Sequence, residues 1–156
     1  MKLLKQVRNG WEYELNHQEA MCLRTLVREF PLTPATPAKI TTAESARKAA
    51  ERERLLNESM VEHRMDMKLK AARLLKASQA GWRLRLNPEE RETLLQLLND
   101  IRVGSWRALG EPEDLEFKSP SASERKLCFH TFMQLAGYFE VKLLNLEGKY
   151  KTIGVE

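Results

Sequence analysis

The chain has 156 residues, of which 42% are hydrophobic and 31% charged, and its net charge at pH 7 is +4. This composition excludes a disordered chain and a membrane protein, because apolar residues are plentiful but no apolar run approaches the roughly 18 residues of a spanning helix. The charged residue Lys2 occurs before the apolar core of a signal peptide could form. We therefore expect a single domain over 1–156, located in the cytoplasm and without a membrane partner.

The first predicted element is a strand over Met1–Val7. Asn9-Gly10, which follows it, is the dipeptide favoured by a type I′ hairpin turn. The turn would lead into a second strand that begins at Trp11. Together with a third strand, this hairpin would form a small sheet that is stable when it packs against helices.

An internal repeat is the most informative feature of the chain. Residues 10–19, GWEYELNHQE, return as residues 81–90, GWRLRLNPEE. In each copy apolar and charged residues alternate, as in a half-buried strand. An Asn then precedes a Glu by three residues, the pattern of a capping box that begins a helix. The repeat units 10–30 and 81–101 are each predicted to form a strand, a cap and a helix.

The repeat also predicts how its two strands pair. The outward residues are Glu12 and Glu14 in the first copy and arginines in the second, so adjacent strands would bring opposite charges together. The first helix is predicted to end at Phe30-Pro31, because proline cannot continue a helix. The second is predicted to end at Gly104, a candidate C-cap glycine.

A long helix from Thr42 to Ala77 is predicted between the repeats, since Thr41-Thr42-Ala43-Glu44 resembles a capping box and no Pro or Gly follows until Gly81. Its first half is polar almost all round, so we expect that half to project or to bind another copy. Its second half is expected to pack on the body of the domain through apolar residues: Leu55, Leu56, Met60, Met67, Leu69, Leu74 and Leu75.

A final helix is predicted from the capping-box pattern Ser121-Ala122-Ser123-Glu124 to Leu144. It is apolar over most of its circumference, which favours a place at the centre of the domain or at a subunit interface. The tail 148–156 is predicted to be an edge strand or loose. The expected fold class is mainly α (α+β), a helical domain with a small antiparallel sheet built from the duplicated units.

Candidate catalytic residues are few. His17 occupies the position that Pro88 fills in the second copy, so this position does not require an imidazole. His63 and Asp66 lie one helical turn apart, but no second pair completes a metal site. We expect no catalytic residues, no metal and no cofactor.

Cys22 and Cys128 stand among apolar residues and are predicted to be buried, reduced thiols.

Two polar segments suggest binding functions. The stretch from Arg64 to Arg85 holds seven basic residues and one acid, so nucleic-acid binding is one hypothesis, although a solvated helix face explains the same pattern. The candidate residues are Arg64, Lys68, Lys70, Arg73 and Lys76. The projecting half of the long helix offers a candidate interaction surface at Arg47, Glu51, Arg54 and Glu58.

The end of the second repeat helix carries Asn99, Asp100 and Arg102. These residues could form a polar functional site, or Asp100 could pair with a nearby base as a structural lock. We favour the lock, because the first copy does not repeat the same polar residues.

The pattern Trp-x-[Tyr/Leu]-x-Leu-Asn-x-x-Glu, with the Leu-rich run Leu94–Arg102, resembles an uncharacterised bacterial helical family, a domain of unknown function. In that family a similar helix ends in Asn-Asp-x-Arg before a Leu-Gly turn. Here Ala108-Leu109-Gly110 would be the turn, with Val103–Arg107 intervening. The resemblance covers roughly a third of the chain and implies no established activity, although some members carry the label of transcriptional regulators.

Two functional hypotheses follow from the sequence. The first is a non-enzymatic interaction or adaptor protein that works as a homodimer through its helical surfaces, with an unknown protein partner. The alternative is a nucleic-acid-binding transcriptional regulator that uses the basic stretch 64–85. An enzyme is disfavoured by the thin inventory of catalytic groups.

Overall fold

The computed structural model describes residues 1–33, 46–77, 82–112 and 124–145. The described part is mainly helical with one small antiparallel sheet, so the predicted fold class is confirmed. In chain order the elements are β1 (Lys2–Val7), β2 (Gly10–Glu14), α1 (His17–Glu29), α2 (Ala46–Ala77), β3 (Arg83–Leu86), α3 (Pro88–Ala108) and α4 (Glu124–Leu144). The predicted caps before the long helix and before the final helix lie outside the described residues, and so does the predicted tail.

The sheet has the order β1-β2-β3, and both pairs of neighbouring strands are antiparallel. The predicted pairing of the two repeat strands is confirmed, with Glu12 opposite Arg85 and Glu14 opposite Arg83. The turn between β1 and β2 was predicted one residue too late. It consists of residues 8 and 9, and Gly10 is already in β2.

Gly10 is explained by close packing rather than by the turn. A Cβ at this position would lie 2.4 Å from the carbonyl oxygen of Leu86 on β3. Only glycine allows the two backbones to approach so closely. The glycine of the repeat therefore marks the contact between the paired strands.

The two capping boxes predicted in the repeat are both present. Asn16 Oδ1 accepts a hydrogen bond from the Glu19 amide at 2.8 Å, and Glu19 Oε2 accepts one from the Asn16 amide at 2.8 Å. Asn87 and Glu90 repeat this arrangement at the same distances at the start of α3. The duplicated sequence thus forms duplicated helix starts.

The predicted end of α3 was wrong by four residues. Gly104 lies inside the helix, which continues to Ala108, and Gly110 follows with a positive φ of 89°. A Cβ on Gly104 would lie 2.5 Å from the Cβ of Leu32. Gly104 is therefore a packing glycine, where α3 meets the chain that leaves α1.

One hydrophobic core receives side chains from the sheet and from all four described helices. α2 contributes one narrow face, since Met67, Ala71 and Leu75 are buried. The expectation that its other apolar residues also pack on the body is wrong for Leu55, Leu56 and Leu69, which are 52%, 43% and 52% exposed. Leu55 and Leu69 lie on the side of α2 opposite its buried face, whereas Leu56 lies about three turns before Met67 on the same side as Met67.

α4 also packs through one face, formed by Met133, Ala136, Phe139 and Leu143. Its first residues, 124–128, are all exposed, and Cys128 is one of them. The prediction of a buried thiol was therefore wrong for Cys128, while Cys22 is half-buried.

Within the described ranges no helix has the length and apolarity needed to cross a membrane.

Candidate interaction surfaces

The outer face of α2 carries the predicted interaction surface. Arg47, Glu51, Arg54 and Glu58 are all exposed, and their spacings of three and four residues place them on one side of the helix. Arg54 pairs with Glu51 at 2.8 Å and with Glu58 at 2.9 Å. Exposed ion pairs of this kind contribute little to the stability of the fold. This face of α2 therefore remains available for contacts with a partner.

An apolar stripe continues the same face toward the C-terminus of α2. Leu55, Val61, Met65 and Leu69 are 52%, 53%, 53% and 52% exposed. At 3.6 residues per turn they fall within an arc of roughly 120°. We call these four residues the outer stripe. It lies on the opposite side of α2 from the buried face, so α2 presents apolar residues both to the core and to solvent.

A groove of about 660 Å³ lies between α3 and α4. Its apolar lining includes Trp106, which is 36% exposed, and Val141, which is 37% exposed. Gly137 leaves open space there, because an added Cβ would meet no atom of the described residues within 4 Å. The described residues that line the groove are Arg102, Val103, Trp106, Met133, Gln134, Gly137, Tyr138, Val141 and Lys142. We call this the α3–α4 groove, and both of its charged residues are cations.

An ion pair fixes one edge of the α3–α4 groove. Arg102 on α3 pairs with Glu140 on α4 at 3.1 Å, and the Glu140 side chain is only 14% exposed. Burial raises the pKa of Glu140 above its ordinary value, and the Arg102 guanidinium opposes that shift. Arg102 also donates to Asn99 Oδ1 at 3.0 Å. These contacts hold the guanidinium at the rim of the groove.

The predicted basic stretch does not form one continuous surface. Lys68 donates to the backbone carbonyls of Arg28 and Phe30, at 2.8 Å each, and so caps the end of α1. Lys70 lies on the side of α3, where it pairs with Asp66 at 3.1 Å and with Glu89 at 3.2 Å. The stretch is therefore divided between the two sides of α2.

The remaining residues of the stretch differ in their surroundings. Arg64 donates to the carbonyl oxygen of Thr33 at 2.8 Å, so it is held within the fold. Arg73 and Lys76 are exposed. Arg73 lies on the side of Lys70, whereas Lys76 lies on the side of α1.

A basic cleft lies between α1 and α2. It has a volume of about 370 Å³ and an apolar floor, and none of the described residues that line it is acidic. Its cations are Arg24, Arg28, Lys68 and Lys76. Arg24 and Arg28 were not among the predicted binding residues, because they belong to the first repeat helix, far along the chain from the basic stretch. Their spacing of four residues, on one face of α1, was the available signal.

Asp100 forms the predicted lock. Its carboxylate accepts from the backbone amides of Leu32 at 2.8 Å and Thr33 at 3.2 Å, and from the Thr33 hydroxyl. Arg64 lies 3.7 Å from the same carboxylate. These contacts join α3, α2 and the chain that leaves α1, so the role of Asp100 is structural.

The histidines lie in separate places. His17 packs edge-on against Trp82, with 4.9 Å between ring centroids. His63 is exposed on α2 and His130 is half-buried on α4. Among the residues that the structure describes, no three His, Cys, Asp or Glu side chains come together in a group that could hold a metal ion.

The chain was compared with protein-family models, with curated proteins and with solved structures, and none of them matches. The resemblance to the bacterial helical family, drawn from the Leu-rich motifs, therefore stays a prediction.

Proposed function

We propose that the chain is a non-enzymatic interaction protein that associates with a second copy of itself through the outer stripe of α2. The observation that supports this most directly is the exposure of Leu55, Val61, Met65 and Leu69, each more than half exposed on one side of one helix. Single exposed apolar residues are common on monomers, whereas a contiguous set is typical of protein–protein contacts.

The presence of apolar residues on two opposite sides of α2 also supports self-association. Met67, Ala71 and Leu75 already pack on the core, which satisfies the usual single apolar face of a surface helix. A second apolar face suits a second packing partner. The charged residues at the N-terminal end of this face, from Arg47 to Glu58, would form the polar rim of such an interface.

Sedimentation analysis across a wide concentration range tests this proposal. We expect the wild type to dimerise and the double variant Met65→Glu with Leu69→Glu to be monomeric, because two buried carboxylates would oppose association. Both residues are exposed, so the fold should persist by circular dichroism. Met21→Glu is the matched control, since Met21 on α1 is 50% exposed and lies off the stripe. A double variant that dimerises like the wild type would contradict the proposal.

A second candidate function is nucleic-acid binding at the basic cleft between α1 and α2. Four cations line this cleft, and one of them, Arg28, pairs with Glu29 at 3.6 Å. Such a cluster of cations favours a phosphate-bearing ligand. Lys68 also caps α1, so its charge serves the fold as well. Arg28 and Lys76 are exposed and would make the phosphate contacts.

Fluorescence anisotropy with duplex DNA and with RNA tests the second candidate. We expect affinity to fall steeply between about 50 and 200 mM salt, because phosphate contacts release counterions. Arg28→Ala with Lys76→Ala should weaken binding and reduce the salt dependence. Arg47→Ala with Lys48→Ala, at the far end of α2, is the charge-matched control. Equal binding by the two double variants would exclude the cleft.

A further inference from the structure

We infer that the α3–α4 groove of one copy receives the outer stripe of α2 from the other copy. Each copy would then give one helix face and one groove to the pair. This inference rests on the proposed self-association and identifies the surface against which the stripe packs.

The two surfaces match in length and in character. The part of the stripe from Val61 to Leu69 spans about 12 Å at 1.5 Å per residue, and the groove lining on α4 from Met133 to Lys142 spans about 14 Å. Both surfaces present apolar side chains to solvent. An amphipathic helix that lays its apolar face into such a groove is a common mode of recognition.

Gly137 makes the groove suitable for a helix. It lies in the groove lining on α4, and the space where its Cβ would be is empty to a distance of 4 Å. A glycine at such a position lets another backbone approach closely. A larger residue there would fill the groove without disturbing the helix that carries it.

The two surfaces carry opposite charges beside their apolar residues. The groove is lined by Lys142 and by Arg102, which pairs with Glu140. Glu62 is exposed within the arc of the stripe, and so is Glu58, which pairs with Arg54. Opposite charges around an apolar contact favour the correct partner and orientation.

Reciprocal docking also covers more apolar surface than the alternative, in which the stripes of two copies pack against each other. If the outer stripes of two copies packed against each other, Trp106 and Val141 would stay exposed in the groove. If the outer stripe of each copy packs into the α3–α4 groove of the other, both surfaces are covered. This arrangement is two-fold symmetric, and each contact occurs twice.

A complementation experiment tests the inference. Gly137→Leu fills the groove, and Met65→Glu with Leu69→Glu disables the stripe. Each variant alone would lose both contacts and should be monomeric by sedimentation. An equal mixture keeps one intact contact, between the stripe of the groove variant and the groove of the stripe variant. We expect the mixture to form mixed dimers, detected by native mass spectrometry, at an affinity below that of the wild type.

Gly137→Ala is the control for the groove, since a methyl group leaves most of the space open. At a protein concentration low enough for the wild type to be monomeric, both Gly137 variants should keep the helical content and should not lower Tm, because no described atom lies near the added Cβ. A Gly137→Leu variant that dimerises like the wild type would overturn the inference. So would a mixture without mixed dimers when both variants are monomeric alone. If the stripe variant remains dimeric, the proposed function itself fails.

Discussion

At the scale of the residue, Glu12 is a buried carboxylate that the sheet places beside three cationic side chains. It lies on the middle strand and is only 3% exposed. Lys5 lies 3.1 Å from its carboxylate, and Arg83 and Arg85 each lie 3.6 Å away. The hydrogen bond from Lys5 is the largest influence on the pKa of Glu12, and with both arginines it outweighs desolvation and lowers that pKa.

Glu12→Gln should therefore change how stability depends on pH. Because folding lowers the pKa, the ionised carboxylate stabilises the fold above the unfolded value, and this contribution is lost as the pH falls through the folded pKa. We expect a lower Tm for the variant at pH 7 and a smaller difference from the wild type below the ordinary value of 4.5. Thermal unfolding from pH 7 to strongly acidic pH measures this. Glu14→Gln, at an exposed position on the same strand, is the control, and equal losses at pH 7 would contradict the prediction.

Asp100 is the second residue whose role is defined by its contacts. Its side chain is 13% exposed and accepts from two backbone amides that follow α1. A charged acceptor at such a site is difficult to replace, because truncation leaves buried donors without a partner.

Asp100→Ala should lower the free energy of unfolding by about 2–3 kcal/mol, the loss expected when hydrogen bonds to a charged group are removed. Asp100→Asn keeps one acceptor and should lose less. Urea denaturation measures both, and a double-mutant cycle with Arg64→Ala measures the coupling between Asp100 and Arg64, including the part that runs through Thr33. A loss below about 0.5 kcal/mol for Asp100→Ala, as for an ordinary surface change, would exclude the lock.

At the scale of the element, the two helical glycines of α3 and α4 have opposite roles. A Cβ on Gly104 would clash with Leu32, whereas a Cβ on Gly137 would enter open space. Glycine in a helix interior costs stability relative to alanine, so Gly104 is retained for packing. Gly137 is explained by the groove that it helps to form.

Alanine substitutions should therefore shift stability in opposite directions. Gly137→Ala is expected to raise the free energy of unfolding by up to about 1 kcal/mol through helix propensity. Gly104→Ala should lower it by about 1–3 kcal/mol, because overpacking against Leu32 exceeds the gain in propensity. Chemical denaturation of the two variants at one concentration checks both signs. A stabilised Gly104→Ala would show that α3 does not approach Leu32 closely.

The repeated caps give a matched pair of predictions. Asn16→Ala and Asn87→Ala should each cost about 1 kcal/mol, because each removes the side-chain acceptor of a first-turn amide. Asn16→Ser and Asn87→Ser keep an acceptor and serve as controls. Thermal unfolding of the four variants measures the loss. Unequal costs at the two caps would show that the duplicated boxes are not energetically equivalent.

At the scale of the whole molecule, self-association should make stability depend on protein concentration. Because a dimer couples folding to mass action, Tm of the wild type should rise with concentration. Met65→Glu with Leu69→Glu should abolish this dependence without lowering Tm at the lowest concentration. Differential scanning calorimetry over a concentration series measures both quantities. A wild-type Tm that does not change with concentration would contradict dimerisation.

Much of the fold was predictable from the sequence by itself. Strand alternation, capping boxes and helix-forming composition act over a few residues, so they identified β2, β3 and the starts of α1 and α3. The repeat also predicted which strands pair, since neighbouring strands bring the glutamates of one copy to the arginines of the other.

The surfaces were decided by tertiary structure, because exposure depends on what packs against each face of a helix. Apolar composition assigned Leu55 and Leu69 to the core, but α1 and α3 cover only the face of Met67, Ala71 and Leu75. The α3–α4 groove joins residues from two helices that no local pattern relates. The sequence thus determined the elements and their caps, whereas the packing of helices determined which apolar residues remain available to a partner.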